Sequence, residues 1–256
     1  MKSSVGIIMK TALKERMRRK ELYIIVMLAI LLLLLCSSDV TSITMNGEAV
    51  TGFKNMFLVM HTLVHFVGCV LAVVLSLNTI PKEYERKNSH LVWVRKITQV
   101  EYHGGLALAN VCASLGAAGI CYAALAVYAL AKGHGEVLPR MVPAFLMLSL
   151  SISFVSLFVS VMSIKFPVMA VGILGVTVMV FGVFHGMMDM FKNMLGGLGG
   201  KCMSLFLFLV PDLNGIQNAA YHFATGEGVK MHLIFLLLFA LWIVSLGLFV
   251  FRKKEA

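Results

Sequence analysis

Apolar and polar positions fall along this chain in long blocks, not in the short periods of a water-soluble fold. Six stretches, 22–38, 56–80, 106–131, 141–163, 168–188 and 231–251, contain no Asp, Glu, Lys or Arg. A bilayer core calls for about 20 apolar residues per helix, and each stretch is near that length. At membrane depth no water satisfies the backbone, so a spanning segment must be a helix or part of a closed barrel. The stretches lack the two-residue alternation of a barrel strand. The pattern predicts an all-α membrane protein, a six-transmembrane-helix bundle with spans at those positions.

Ahead of the first stretch the period changes. Val5, Ile8, Met9, Ala12, Leu13 and Met17 recur at helical three-and-four spacing, with Lys10, Lys14, Arg18 and Arg19 on the other side. That is an amphipathic helix with a basic face, expected to lie along the membrane interface. Lys10, Leu13, Lys14 and Met17 are the candidate membrane-interface residues. The helix runs straight into the first stretch, so an elbow is expected near Glu21. The expected organisation is an interfacial elbow helix over 1–21 and a six-span domain over 22–256. No small-residue cleavage site follows the first stretch before Asp39, so it reads as a retained span and not as a signal peptide.

Composition agrees, with 59% hydrophobic residues and a mean hydropathy of +0.91. The formal net charge of +10 invites a nucleic-acid reading until the charges are placed. Sixteen Lys and Arg lie in 1–21, 81–105, 164–167 and after 251, against six in the intervening loops. The positive-inside rule then puts both termini in the cytoplasm. The basic residues meet lipid headgroups, membrane lipid is the expected contact, and no nucleic-acid partner is expected. The five cysteines form no CxxC pair and read as small buried hydrophobes.

The connections differ in kind. The loop 81–105 is the most charged internal segment, and the turn at Lys165, Phe166 and Pro167 makes the fourth and fifth spans a tight antiparallel pair. The connection 189–230 is the longest. Its apolar patch 203–210 is too short to cross and reads as a re-entrant or interfacial piece on the outer face, so that short outer re-entrant helices are expected before the last span. Asp212 or Asn214 is positioned to cap a further short helix through Tyr221.

Catalytic signatures are missing: no HExxH, no GxSxG and no paired carboxylates within a stretch. Uncharged spans argue against a proton-coupled transporter. Gly200-Lys201 is no phosphate loop, because Leu195 and Cys202 break the pattern. No catalytic, cofactor or metal site is assigned, and the chain is not expected to be an enzyme. His61, His65 and Cys69 recur every four residues on one face, with His185 and His232 at the same side of the membrane. Imidazole and thioether groups at that depth suit copper or haem iron. They equally suit bonded side chains inside a bundle, and the latter is the expectation.

The internal loop carries a resemblance. Pro81-Lys82-Glu83-Tyr84-Glu85-Arg86-Lys87, then Leu91-Val92-Trp93-Val94-Arg95-Lys96-Ile97-Thr98, then Glu101-Tyr102, resembles a stretch of the permease subunits of the second class of ABC exporters. These serve drug, bacteriocin and polysaccharide export. Lys96 stands where that family often has Pro, and Gly105 where a Lys often follows. The resemblance implies a coupling helix over 83–94, with Glu83, Tyr84, Glu85, Arg86, Lys87, Leu91 and Trp93 seated in a groove of a cytoplasmic ATPase subunit. It implies a partner permease, a second copy (homodimer) or a paralogue. ATP and Mg would be bound by the ATPase partner and nothing by this chain. The location implied is the inner (plasma) membrane. Two other readings stay open: a haem- or copper-binding membrane redox or metal-handling protein, and a non-transporting anchor or sensor subunit.

Overall fold

The computed structural model describes residues 4–17, 27, 31, 44–45, 48–49, 52–85, 97–226, 228 and 232–250. Among these the regular structure is helical, apart from a two-residue antiparallel ladder of Thr44–Met45 with Glu48–Ala49. In chain order the helices are α1 (Ser4–Met17), α2 (Phe53–Leu77), α3 (Thr79–Glu85), α4 (Gln99–Ala131), α5 (Leu138–Met162), α6 (Val168–Val183), α7 (His185–Leu195), α8 (Gly197–Leu209), α9 (Leu213–Thr225) and α10 (His232–Val250). A 3-10 turn, Gly135–Val137, leads into α5. Apart from Met27 and Leu31, both helical, the expected first span 22–38 lies outside the described residues.

Among the described residues four helical stretches are long and apolar enough to cross a membrane: Phe53–Glu85, Gln99–Ala131, Gly135–Met162 and His232–Val250. A fifth is reached if α6 and α7 count as one span bent by 87°. The chain thus has the character of a multi-pass membrane protein. Three of the helices, α2, α4 and α5, pack on one another as the centre of the bundle. Against α5 lie α6, α9 and α10, and against α4 lies α1. Lipid is as apolar as leucine, so close packing and polar contacts hold such a bundle together. Small residues permit it: a Cβ on Gly175 of α6 would stand 2.8 Å from Cγ2 of Val159 on α5.

The buried apolar residues fall into layers along the bundle. Phe57, Leu125, Tyr128, Leu148 and Tyr221 fill the end where α9 sits. Val73, Ile152, Val155, Val159, Met179 and Leu237 fill the middle. Ile80, Tyr102, Leu106 and Ile164 fill the other end, with Ile8 and Ala12 of α1 packed on them.

Local sequence sets the helix ends. Thr98 and Glu101 form a reciprocal capping box at the start of α4, which satisfies two of the helix's open N–H groups. Pro167 holds the extended N-cap of α6. Asp212 caps α9 by accepting from the Gly215 N–H at 2.7 Å. That helix runs past the expected end at Tyr221 to Thr225, where Gly226 takes the left-handed conformation at φ 87°.

The fifth apolar stretch departs from expectation. A straight span over 168–188 is expected, yet α6 ends at Val183 and the chain turns at Phe184. Leu213 presses on Gly182, where a Cβ would lie 2.7 Å from Leu213 Cδ1. The Phe184 ring sits against Phe66 at a centroid distance of 6.0 Å. The apolar patch at 203–210 belongs to a longer helix, α8, whose 13 residues reach only about 20 Å and fall short of a bilayer core.

Candidate functional site

The richest polar chemistry among the described residues is at the end of the bundle where α1 and α3 meet α4. Half-buried Val5, Ile8, Met9, Ala12 and Leu13 form the inner face of α1, while Lys10 and Lys14 are exposed. The side chain of Met17 lies outside the described residues. Ile8 seats on Gly105 of α4, where a Cβ would approach its Cγ2 to 2.8 Å. Glycine at this position is therefore what lets α1 lie close to α4.

Two neighbouring residues then bind two different elements. The Glu101 carboxylate accepts from the Ser4 hydroxyl of α1 at 2.8 Å, and from the Thr98 backbone N–H and hydroxyl at 3.0 and 2.9 Å. The Tyr102 hydroxyl donates to Glu83 of α3 at 3.0 Å. One residue further on, His103 Nε2 is 2.6 Å from the Tyr84 hydroxyl. Glu101 stands in the first turn of α4, ahead of the apolar stretch 106–131. The Thr98 N–H, then the Ser4 and Thr98 hydroxyls, hold its carboxyl below the ordinary carboxylate value.

Glu83 and Tyr84, both expected to face an ATPase, are therefore engaged within the chain, while Glu85 is exposed. Arg86, Lys87, Leu91 and Trp93 lie outside the described residues.

Arg16 extends this joint into the bundle. Its guanidinium donates to the Leu75 carbonyl and the Thr79 hydroxyl at the α2–α3 corner, and to the Asn110 side-chain carbonyl of α4. Asn110 Nδ2 donates to Ser160 Oγ on α5 at 2.7 Å, and Ser160 Oγ donates to the Ser156 carbonyl. Ser156 Oγ and Ser76 Oγ of α2 are 2.8 Å apart. Asn110, Ser76, Ser156 and Ser160 have no exposed surface. A cation from α1 thus ends a polar chain through three helices. None of these residues is singled out by the sequence. The signal that could have found them is a lone amide in an apolar stretch together with serines at four-residue spacing on α5.

The histidines at the opposite end divide between different partners. His61 and His65 are fully buried. Gln217 of α9 places its Nε2 3.4 Å from His61 Nδ1 and donates to Thr62 Oγ1 at 2.9 Å. Aromatic rings of Tyr122 and Tyr221 stand edge-on to His61 at 5.8 and 6.2 Å. His65 Nε2 meets Cys69 Sγ at 3.6 Å. His185 turns instead to Asp212, 3.9 Å away, and His232 is exposed. Among the described residues no three His, Cys, Asp or Glu side chains converge.

Compared with known proteins, the chain matches no family model and no curated sequence.

Proposed function

We propose that this chain is the membrane permease subunit of an ATP-driven exporter of the ABC type. It forms the substrate pathway with a second permease, a copy of itself or a paralogue, and couples to separate cytoplasmic ATPase subunits. ATP and Mg belong to those subunits. In this reading 22–38 is the first of six spans, α6 is the fifth, and the α1 end faces the cytoplasm of the cell whose inner membrane holds the chain.

The observation that carries the reading is the joint built on Glu101 and Tyr102. These adjacent residues grip α1 through Ser4 and α3 through Glu83, and Arg16 ties the same α1 to the corner between α2 and α3. A load applied to α3 by a partner is shared by the starts of α1 and α4 and the end of α2. That suits rigid-body rocking of a bundle by ATPase closure. Glu85 is the described side chain of α3 left exposed for a partner.

The test is copurification and reconstitution. The full chain, coexpressed with a Walker-motif ATPase encoded beside it, should copurify with that ATPase and raise its ATP hydrolysis in proteoliposomes. A chain that purifies alone and leaves hydrolysis unchanged would sink the proposal.

A further inference from the structure

At the end of the bundle opposite α1, a cavity of about 590 Å³ opens between the start of α2, the α4–α5 connection and the end of α9. Gly52, Phe53, Lys54, His134, Arg140 and Thr225 are among its lining residues. Its volume falls in the range of small-ligand sites. The charge is unbalanced. Lys54 and Arg140 both face it, and among the described residues neither has a carboxylate within ion-pair reach. Among the described residues Glu136 is the one acidic group lining the cavity, and its carboxylate lies 3.5 Å from His134 Nδ1.

Three further features define the occupant. The first turn of α2 lines the cavity, and the positive end of that helix adds to the field. Arg140 lies over Gly226, where a Cβ would meet the guanidinium; its fork of donors matches a phosphate or carboxylate. Phe53 stacks on His134 at a centroid distance of 3.8 Å and gives the site an apolar wall.

Depth selects among anions. Lys54 stands two residues before the apolar stretch 56–80 and Arg140 one residue before 141–163, the level at which headgroups meet a bilayer. Next to the cavity in sequence, Val127 and Leu130 on α4 and Val142 and Leu146 on α5 are exposed apolar side chains. Such surface accommodates acyl chains. We propose that this cavity binds the phosphate of an anionic phospholipid headgroup, with Lys54 and Arg140 as its cationic clamp.

The experiment is a lipid titration of the detergent-solubilised full chain read by native mass spectrometry, with phosphatidylglycerol and phosphatidylcholine as probes. Phosphatidylglycerol should bind about tenfold tighter, the equivalent of one added charge-assisted hydrogen bond. Lys54→Gln with Arg140→Gln should remove that preference. Lys54→Arg with Arg140→Lys should keep it, and so should Lys201→Gln, a cation outside the cavity. A matching melting profile for the two double variants excludes misfolding as the cause. Equal affinity for both lipids, or a preference that survives the double Gln variant, overturns the proposal. Displacement of the lipid by equimolar glycerol phosphate also overturns it, and assigns the clamp to a soluble phosphate ester.

Discussion

The guanidinium of Arg16 donates to the side-chain carbonyl of Asn110, a residue with no exposed surface four positions into the apolar stretch 106–131. The cation is not part of any span. It reaches in from α1, its head on buried polar groups. Removing the guanidinium leaves the Asn110 carbonyl without this donor in a medium where water cannot replace it. Arg16→Gln should therefore cost about 1–3 kcal/mol of stability in a detergent or lipid unfolding assay. A double-mutant cycle with Asn110→Ala should show a coupling of at least about 0.5 kcal/mol. Strict additivity would mean that the contact does no energetic work.

Glu101 supplies the pH dependence. Its folded carboxyl is held below the ordinary value of 4.5 by the Thr98 N–H, and then by the Ser4 and Thr98 hydroxyls. A depressed folded value means that the ionised form is favoured in the folded state. The stabilisation is present at every pH above the ordinary carboxylate value and is lost as pH falls through that value toward the lowered one. Glu101→Gln should thus melt below the parent at neutral pH, and the gap should narrow in acid. A gap that is constant or widens with acidity would show that the carboxylate plays no such part.

What was readable in the sequence is what local pattern controls. Four of the apolar stretches appear as membrane-length helices, the period of Val5, Ile8, Met9, Ala12 and Leu13 appears as the inner face of α1, and Asp212 caps α9. What was not readable depends on contacts between distant parts of the chain. The turn at Phe184 lies beside the contact of Leu213 with Gly182, and neither residue announces a break to its own neighbours. Arg16 finds Asn110 across 94 residues, and Gln217 finds His61 across 156. The same geometry draws His185 to Asp212 and away from the other histidines. Glycine at position 105 becomes intelligible only once Ile8 is seen against it.

The joint between α3 and α4 separates two roles within the proposed coupling segment. Tyr102→Phe removes the hydroxyl that holds Glu83 at 3.0 Å. ATPase association should persist while ATP-driven transport falls several-fold, because α3 is less firmly carried by the bundle. Glu85 is exposed, so Glu85→Ala should change stability by less than about 0.5 kcal/mol. With Arg86→Ala it should weaken ATPase association. If both variants retain full association and transport, α3 is not the contact.

The buried histidines yield a contrasting expectation. Gln217 ties α9 to α2 through His61 and Thr62. Gln217→Leu should cost about 1 kcal/mol, the usual size of an interhelical polar contact in a membrane. His61→Gln with His65→Gln should keep transport within a few-fold, and elemental analysis should find no stoichiometric copper or haem iron. One metal per chain, lost in that double variant, would favour the metal-handling reading instead.

Topology is the prediction on which the proposed roles of both ends depend. Sixteen basic residues in one set of connections against six in the other should orient the chain with α1 and α3 in the cytoplasm. The uncharged stretches themselves exert no opposing preference, so loop charge decides. Two exposed positions at opposite ends of the bundle make the test direct: Glu85 at the end of α3, and Glu136, 82% exposed, in the turn before α5. In a cysteine-free background, an impermeant thiol reagent applied to intact cells should modify Glu136→Cys and spare Glu85→Cys. Permeabilisation should then open Glu85→Cys to the reagent. The reverse pattern would invert the bundle, turn the Lys54–Arg140 cavity to the cytoplasm, and deny α3 any cytoplasmic ATPase.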